Sequence, residues 1–132
     1  MYKDHKYFKN KKIIVTGHTG FKGFWLSMIL KSLGAEVTGI SLRKDNNIKS
    51  HFESINGERI IDTHYIDVRN LSLLKETIEK VKPDYVFHLA AQALVAESFR
   101  DPINTFTTNT IGSINILESL RLINCKCNLI MI

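Results

Sequence analysis

The stretch that decides the fold is VTGHTGFKGFWL, which runs from Val15 to Leu26. It places glycines at 17, 20 and 23, after the β-branched run KIIVT and before a segment with helical spacing. Three glycines alone would fit a flexible loop equally well. Between a strand and a helix, they are typical of a turn that holds a dinucleotide pyrophosphate at the helix N-terminus. The loop lacks the G-K-[ST] ending of a P-loop.

Each glycine has a predicted role in such a turn. Gly17 ends the strand, where a tight turn needs a positive φ that other residues adopt only at a cost. Gly20 lies where the backbone approaches the pyrophosphate, and Gly23 lets the helix pack closely against the strand.

Apolar runs and helical repeats alternate along the rest of the chain. Short apolar runs predict strands at 12–16, 36–40, 59–66, 85–90 and 128–132. Helical spacing predicts helices at 21–33, 72–81 and 101–124, the last capped by Asp101 and Pro102. Residues 43–58 are polar and predict a surface connection with one helical turn at most. In the first helix we expect the buried face to carry Phe21, Trp25, Met28 or Ile29, and Leu33.

This alternation predicts an α/β fold, a doubly wound parallel sheet of the Rossmann type with strand order 3-2-1-4-5. In such a sheet the ligand crevice lies at the carboxyl ends of strands 1 and 4, where the winding reverses. The glycine loop and the HLAAQ stretch, His88–Gln92, should therefore lie side by side at one site.

Composition limits the class of protein. The chain has 132 residues, 44% of them hydrophobic and 23% charged, which suits one soluble globular domain. No apolar run is long enough for a membrane span, and the N-terminus lacks the apolar region of a secretory signal. Two cysteines, Cys125 and Cys127, favour a reducing cytoplasm, and no second ligand pair accompanies them, so no metal site is expected.

The net charge of +5 is partly local. Lysines crowd the first twelve residues, at positions 3, 6, 9, 11 and 12. Neither stacking aromatics nor a nucleic-acid-binding motif accompanies them, so a solvated segment is favoured and nucleic acid is not an expected partner.

The loop TGHTGFKG resembles the fingerprint of the extended short-chain dehydrogenase/reductase superfamily. From about Phe8 to Ile132 the chain is similar to the N-terminal part of the CDP-glucose 4,6-dehydratases. The resemblance rests on VTGHTGFKGFWLS, GAEVTG, IDVRNL, KPDYVFHLAAQALV and DPINTFTTNTIGSINILES. His18 and Lys22 in the loop, with Gln92 after LAA, distinguish this family from the nucleotide-sugar epimerases.

The resemblance implies an NAD site and a nucleotide-sugar substrate. The residues matching the pyrophosphate loop are Gly17, Thr19, Gly20, Phe21, Lys22 and Gly23. Asp67 and Val68 match the pair that holds the adenine, and Leu89, Ala90 and Ala91 match the stretch beneath the nicotinamide ribose. Asn109 matches a helix asparagine near the cofactor, and Gln92 and Ser98 lie where the family begins to meet its sugar nucleotide. A turn-capping role for Asp67 and a buried helix bond for Asn109 are the alternatives.

One position departs from the NAD pattern. An acidic residue about 20 positions after the third glycine usually binds the adenosine ribose, and here that position holds Arg43, followed by Lys44 and Asp45. An arginine would suit the 2′-phosphate of NADP, so NADP stays open beside NAD. The alternative is a solvated loop cation.

In this superfamily a Tyr-x-x-x-Lys pair and a Ser or Thr just past strand 5 carry the chemistry. Here the spacing occurs only at Tyr2–Lys6 and Tyr7–Lys11, ahead of strand 1, and the sequence stops at Ile132. We therefore expect residues 1–132 to be an incomplete NAD(P)-binding domain, truncated after strand 5 and inactive alone, with the catalytic residues beyond Ile132.

For an intact relative, the resemblance implies a lyase that removes water across C5 and C6 of a CDP-glucose sugar in deoxysugar and lipopolysaccharide synthesis. The nicotinamide takes a hydride from C4 before water leaves and returns it to C6 afterwards, so the cofactor is regenerated. The full-length enzyme is expected to be a homo-oligomer. Two alternatives stay open, another NAD(P)-dependent nucleotide-sugar epimerase or reductase, and a non-catalytic dinucleotide-binding module.

Overall fold

A computed structural model describes residues 6–43 and 50–132. The strands are β1 (Lys12–Thr16), β2 (Glu36–Ser41), β3 (Asp62–Tyr65), β4 (Tyr85–His88) and β5 (Asn128–Met131). The helices are α1 (Phe21–Ser32), α2 (His51–Ser54), α3 (Leu71–Val81), α4 (Val95–Arg100), α5 (Pro102–Phe106) and α6 (Gly112–Leu122). A 3₁₀ turn covers Gly57–Arg59, and a π-helical turn covers Thr107–Ile111. Lys3, Lys44 and Asp45 lie outside the described residues.

In the described part of the chain the strands form one parallel sheet in the order β3-β2-β1-β4-β5. This confirms the predicted doubly wound topology. Strand β1 lies between β2 and β4, and its last residue, Thr16, pairs in register with Ile40 of β2 and His88 of β4. The winding reverses between β1 and β4, so the glycine loop and the segment after His88 leave the same edge of the sheet.

Apolar side chains cover both faces of the sheet. On one face, Ile13 and Val15 pack with Phe24 and Leu30 of α1. On the other face, Ile14 packs with side chains of β4, α3 and α6, including Val86, Leu74, Ile78 and Ile116. The two clusters alternate along β1, as a strand buried on both faces requires.

The predicted buried face of α1 is right only for Met28, which packs against the buried cluster. The buried residues are Gly23, Phe24, Ser27 and Leu30, whereas Phe21, Trp25 and Ile29 are each more than half exposed. The helix is apolar around most of its circumference, so helical spacing did not identify the buried side. The buried side is set by the packing of Gly23 against the strand-to-helix turn, since a Cβ at Gly23 would overlap the backbone of Gly17.

The predicted helix over 101–124 begins as expected and differs in its middle. Asp101 accepts a hydrogen bond from the Asn104 N–H at 2.9 Å, and Pro102 occupies the first turn. A π-helical turn at Thr107–Ile111 then separates α5 from α6. The short helix α4 was not predicted. In the 43–58 connection, the expected helical turn is α2, which begins with a capping box between Ser50 and Glu53.

Among the described residues, no helix is long and apolar enough to cross a membrane. Within the same residues, no cluster of three or more His, Cys, Asp or Glu side chains is placed to hold a metal ion. Cys125 and Cys127 are both free thiols, and burial raises the pKa of Cys127 to about 12.

Gly23→Ala should destabilise the fold although alanine favours helices. Alanine gains about 1 kcal/mol of helix propensity, but its methyl group would overlap the Gly17 backbone, and we expect a net loss of about 2 kcal/mol. Urea unfolding followed by circular dichroism measures the change. Ser27→Ala is the matched control, since the buried Ser27 hydroxyl has no hydrogen-bond partner and its loss should cost little. Equal stability of the two variants would contradict the packing argument.

Candidate functional site

The candidate site is the crevice at the carboxyl ends of β1 and β4. Gly17 has φ +74°, as predicted for the tight turn. It also meets a second constraint that the sequence did not reveal. A Cβ at Gly17 would lie 2.9 Å from backbone atoms of Leu89 and Ala90, so the residue after β1 and the segment after β4 touch through their main chains. Glycine is required here both for its φ and for close approach.

The N-terminus of α1 opens into this crevice. Gly20 is the N-cap residue and supplies no side chain, and the first turn carries no acidic residue. Phe21 and Lys22 of that turn are exposed. The first N–H groups of a helix carry the positive end of its dipole, so this uncapped end beside a lysine favours an anion.

The Thr16 hydroxyl joins the two strand ends. It accepts hydrogen bonds from the N–H groups of Leu89 at 3.1 Å and Ala90 at 3.0 Å. It also lies 2.7 Å from Nδ1 of His88, a buried residue at the end of β4. The other ring nitrogen of His88 lies 3.3 Å from the hydroxyl of Ser113 on α6. Sequence reasoning missed Thr16 and Ser113, because their meeting depends on strand register and helix packing.

Asn109 lies on the π-helical turn and binds the main chain of Gln92 in both directions. The Gln92 N–H donates to Asn109 Oδ1 at 2.8 Å, and Asn109 Nδ2 donates to the Gln92 carbonyl at 3.2 Å. The structure thus places Asn109 as a clamp on the segment after β4. The Gln92 side chain is engaged as well, donating to Thr105 and accepting from the Leu94 N–H.

His18, inside the glycine loop, is fully buried. Its Nε2 lies 3.2 Å from the Thr63 hydroxyl of β3, and its ring packs edge-on against Phe52 of α2 at 4.9 Å. A Cβ at Gly39 of β2 would overlap the ring. Burial lowers the pKa of His18 to about 4, against a smaller raising effect of the Ile40 backbone. His18 therefore anchors the loop to β2, β3 and α2 in its neutral form.

Asp67 and Val68 lie just past the end of β3. The Asp67 carboxylate accepts from the Arg69 backbone N–H at 2.8 Å, as in the turn-capping alternative, and from the Arg69 guanidinium at 2.6 to 3.0 Å. Arg69 holds the pKa of that carboxyl below its usual range. Asp67, Arg69 and the start of α3 line a depression of about 470 Å³. The Val68 side chain is buried against Gly112 of α6. An adenine at this edge would meet a carboxylate that already holds a guanidinium, a partner that sequence reasoning missed.

Arg43 lies two residues past the end of β2. Its guanidinium carbon is 4.5 Å from the ring centre of Tyr65, the last residue of β3, a distance suited to a cation–π contact. The Tyr65 hydroxyl donates to Glu58, and burial with this bond raises the pKa of Tyr65 to about 12. Beside them the hydroxyls of Thr19 and Ser41 lie 2.8 Å apart, linking the glycine loop to β2.

Two more predicted residues lie on the segment after β4 and on α4. Ala91 is exposed, between the clamped residues Ala90 and Gln92. Ser98 lies on α4, where its hydroxyl donates to the Val95 carbonyl at 2.7 Å. The Tyr7–Lys11 pair lies at the opposite end of the sheet, since Phe8 next to Tyr7 packs on Tyr85, the first residue of β4.

The sequence matches a known family. The family model for GDP-mannose 4,6 dehydratase matches residues 14–132. The chain belongs to this family. It is 40% identical over 118 residues to the CDP-glucose 4,6-dehydratase of Salmonella typhimurium, an alignment that covers 89% of this chain and 33% of that protein. It is 35% identical over 121 residues to the GDP-mannose 4,6-dehydratase of Vibrio cholerae, covering 88% of this chain and 32% of that one.

Solved structures of related enzymes share the fold. The UDP-glucose 4-epimerase of Thermotoga maritima, solved with UDP-glucose, superposes with a TM-score of 0.75 at 33% identity over 90% of this chain and 36% of that chain. The UDP-glucose 4-epimerase of Brucella ovis, solved with NAD, superposes with a TM-score of 0.74 at 30% identity, over 93% of this chain and 35% of that chain. The chain thus spans about a third of the length of these 4,6-dehydratase and epimerase relatives.

The buried His18 predicts acid sensitivity. The pKa of His18 is about 6.5 in the unfolded chain and about 4 in the folded one. The neutral His18 therefore makes its full contribution to the free energy of unfolding above pH 6.5. Below pH 6.5 the unfolded chain binds the proton more readily than the folded one, and the free energy of unfolding falls by about 3 kcal/mol by pH 4. Unfolding free energies measured by urea at pH 7, 6, 5 and 4 test this. The unfolding free energy should depend less on pH in His18→Gln than in the half-exposed control His64→Gln. The same pH dependence in both variants would contradict the role of His18.

Proposed function

We propose that residues 1–132 are the dinucleotide-binding part of a nucleotide-sugar 4,6-dehydratase that acts on CDP-glucose with NAD. The observation that carries this proposal is the uncapped N-terminus of α1, facing the crevice where Gly17 contacts the Leu89–Ala90 backbone. The 40% identity to a CDP-glucose 4,6-dehydratase supports the substrate. The relative solved with NAD supports the cofactor.

The residues fit a dinucleotide along the edge of the sheet. Gly20 leaves room for the pyrophosphate, because a Cβ there would meet only the Gly17 carbonyl, at 3.2 Å. Asp67 lies toward β3, on the side proposed for the adenine. Leu89 and Ala90 lie toward β4, on the side proposed for the nicotinamide ribose, and their N–H groups are fixed by Thr16.

When bound, NAD would supply a reversible hydride acceptor. The residues of this chain would position it: the loop holds the phosphates, and Asn109 fixes the segment after β4 through the Gln92 main chain. Gln92 and Ser98 are proposed to border the sugar nucleotide. We place the protein in the cytoplasm, in deoxysugar and lipopolysaccharide synthesis, and propose that the full-length enzyme is a homo-oligomer.

The proposed activity of residues 1–132 alone is binding without turnover. Elimination of water needs a group that moves protons beside the nicotinamide. Among the described residues, no tyrosine–lysine pair of the family spacing lies at the crevice, because Tyr7 and Lys11 lie at the other end of the sheet.

The chain should bind NAD, and Gly20→Val should abolish binding. At 100 times the dissociation constant, NAD should stabilise the fold by about 2.7 kcal/mol, seen as a higher melting temperature. Valine can adopt the Gly20 backbone angles, φ −75° and ψ 166°, and its Cβ requires the Gly17 carbonyl, at 3.2 Å, to move by only a few tenths of an ångström. The variant should therefore fold while its side chain fills the pyrophosphate space.

Ser32→Val, at the other end of α1, is the matched control and should keep the shift. The same preparations should form no product from CDP-glucose. A folded chain whose melting temperature ignores millimolar NAD and NADP would refute the proposal, and measurable dehydration of CDP-glucose would refute its binding-only part.

Arg43 supports NADP as a second cofactor. No carboxylate of the described residues forms an ion pair with Arg43, whose guanidinium rests on Tyr65. If it reaches the adenosine ribose, Arg43→Asp should weaken NADP about tenfold more than NAD, since it replaces a cation with an anion beside the 2′-phosphate. Calorimetric titration of both cofactors measures this, with Arg59→Asp as the charge-matched control. Equal losses for NAD and NADP would show that Arg43 does not contact the 2′-phosphate.

A further inference from the structure

A chain of side-chain hydrogen bonds runs across the candidate site from β1 to α6. Its members are Thr16, His88 and Ser113, and it ends on the Asn109 carbonyl. Heavy-atom distances alone leave the proton on the His88 ring unassigned. The neighbouring bonds assign it.

The Thr16 hydroxyl oxygen faces two backbone N–H groups: that of Ala90 at 3.0 Å, and that of Leu89 at 3.1 Å, which the Thr16 carbonyl shares at 3.2 Å. Its two lone pairs are then used, so its own hydrogen has to be donated, and Nδ1 of His88 at 2.7 Å is the acceptor. At the other end, the Ser113 hydroxyl donates to the Asn109 carbonyl at 2.7 Å. Its oxygen therefore accepts from Nε2–H of His88 at 3.3 Å.

Every bond in the chain thus has one direction, with His88 neutral and its proton on Nε2. A second proton on Nδ1 would face the Thr16 hydroxyl hydrogen, with no free lone pair left on the Thr16 oxygen. Burial lowers the pKa of His88, in agreement with a neutral ring. Both ends of the chain are backbone groups, so it cannot conduct a proton. The hydrogen-bond chain instead fixes the position of the segment after β4.

Resting on the proposed function, we propose that His88, as the Nε2–H tautomer, is a positioning residue for the nicotinamide half of the cofactor site. The segment after β4 is held at Leu89 and Ala90 by Thr16, and at Gln92 by Asn109. His88 connects these two clamps, because it binds Thr16 on one side and, through Ser113, the helical turn that carries Asn109. Its two hydrogen bonds therefore couple the positions of the two ends of the segment.

Two measurements test this inference. The first is histidine-selective ¹³C/¹⁵N NMR on the unmodified chain, which reads the His88 tautomer directly. We expect Nε2–H, and an Nδ1–H ring would overturn the proposal. This measurement needs no variant, so it decides the hydrogen-bond directions even where a substitution prevents folding.

The second measurement compares NAD with ADP, which lacks the nicotinamide half. Thr16→Val removes the hydroxyl and its three hydrogen bonds, to the His88 ring and to the Leu89 and Ala90 N–H groups, and the affinity for NAD should fall at least about tenfold. The affinity for ADP should stay within about twofold, because the glycine loop and the adenine side keep their contacts. Thr16→Ser, which retains the hydroxyl, should restore NAD binding.

The outcomes separate the two proposals. Equal weakening of NAD and ADP in Thr16→Val, or a Thr16→Ser variant as weak as Thr16→Val, would overturn the positioning role and leave the proposed function intact. Failure of the unmodified chain to bind either nucleotide would overturn the proposed function and this inference with it.

Discussion

The structure depends on a main-chain contact between Gly17, just after β1, and Leu89–Ala90, just after β4. No other residue type permits this approach with φ +74°, since a Cβ would enter the Leu89–Ala90 backbone. The contact brings Thr16 to the N–H groups of both residues and aligns the two strand ends. Gly23 then fixes how closely α1 follows the turn. The crevice is thus shaped by backbone packing, and its side chains hold that packing in place.

Much of the fold could be predicted from the sequence. Continuous apolar strands alternating with helices specify a parallel sheet, and the preference for right-handed crossovers specifies its order. The glycine spacing locates the turn, because φ and close approach leave few alternatives to glycine. The cap at Asp101 was recoverable because local residue preferences agree with the global arrangement. Strand β3 begins at Asp62, three residues later than predicted, because a 3₁₀ turn covers Gly57–Arg59.

The parts that could not be predicted depend on side chains meeting across elements. The buried face of α1 was misassigned because Phe21, Trp25 and Ile29 repeat as regularly as Phe24 and Leu30, and the close contact of Gly23 decides between them. The Asp67–Arg69 pair and the Thr16–His88 bond join residues 2 and 72 positions apart, and neither leaves a periodic signal. Asn109 was selected from a resemblance, whereas its contact with the Gln92 main chain depends on the π-helical turn.

The most direct test of the account is an experimental structure of this chain with NAD bound. We expect the pyrophosphate oxygens within hydrogen-bonding distance of the first N–H groups of α1, the adenine toward Asp67 and the nicotinamide ribose over Leu89 and Ala90. A pyrophosphate bound away from the glycine loop, or a cofactor running in the opposite direction across the sheet, would contradict it.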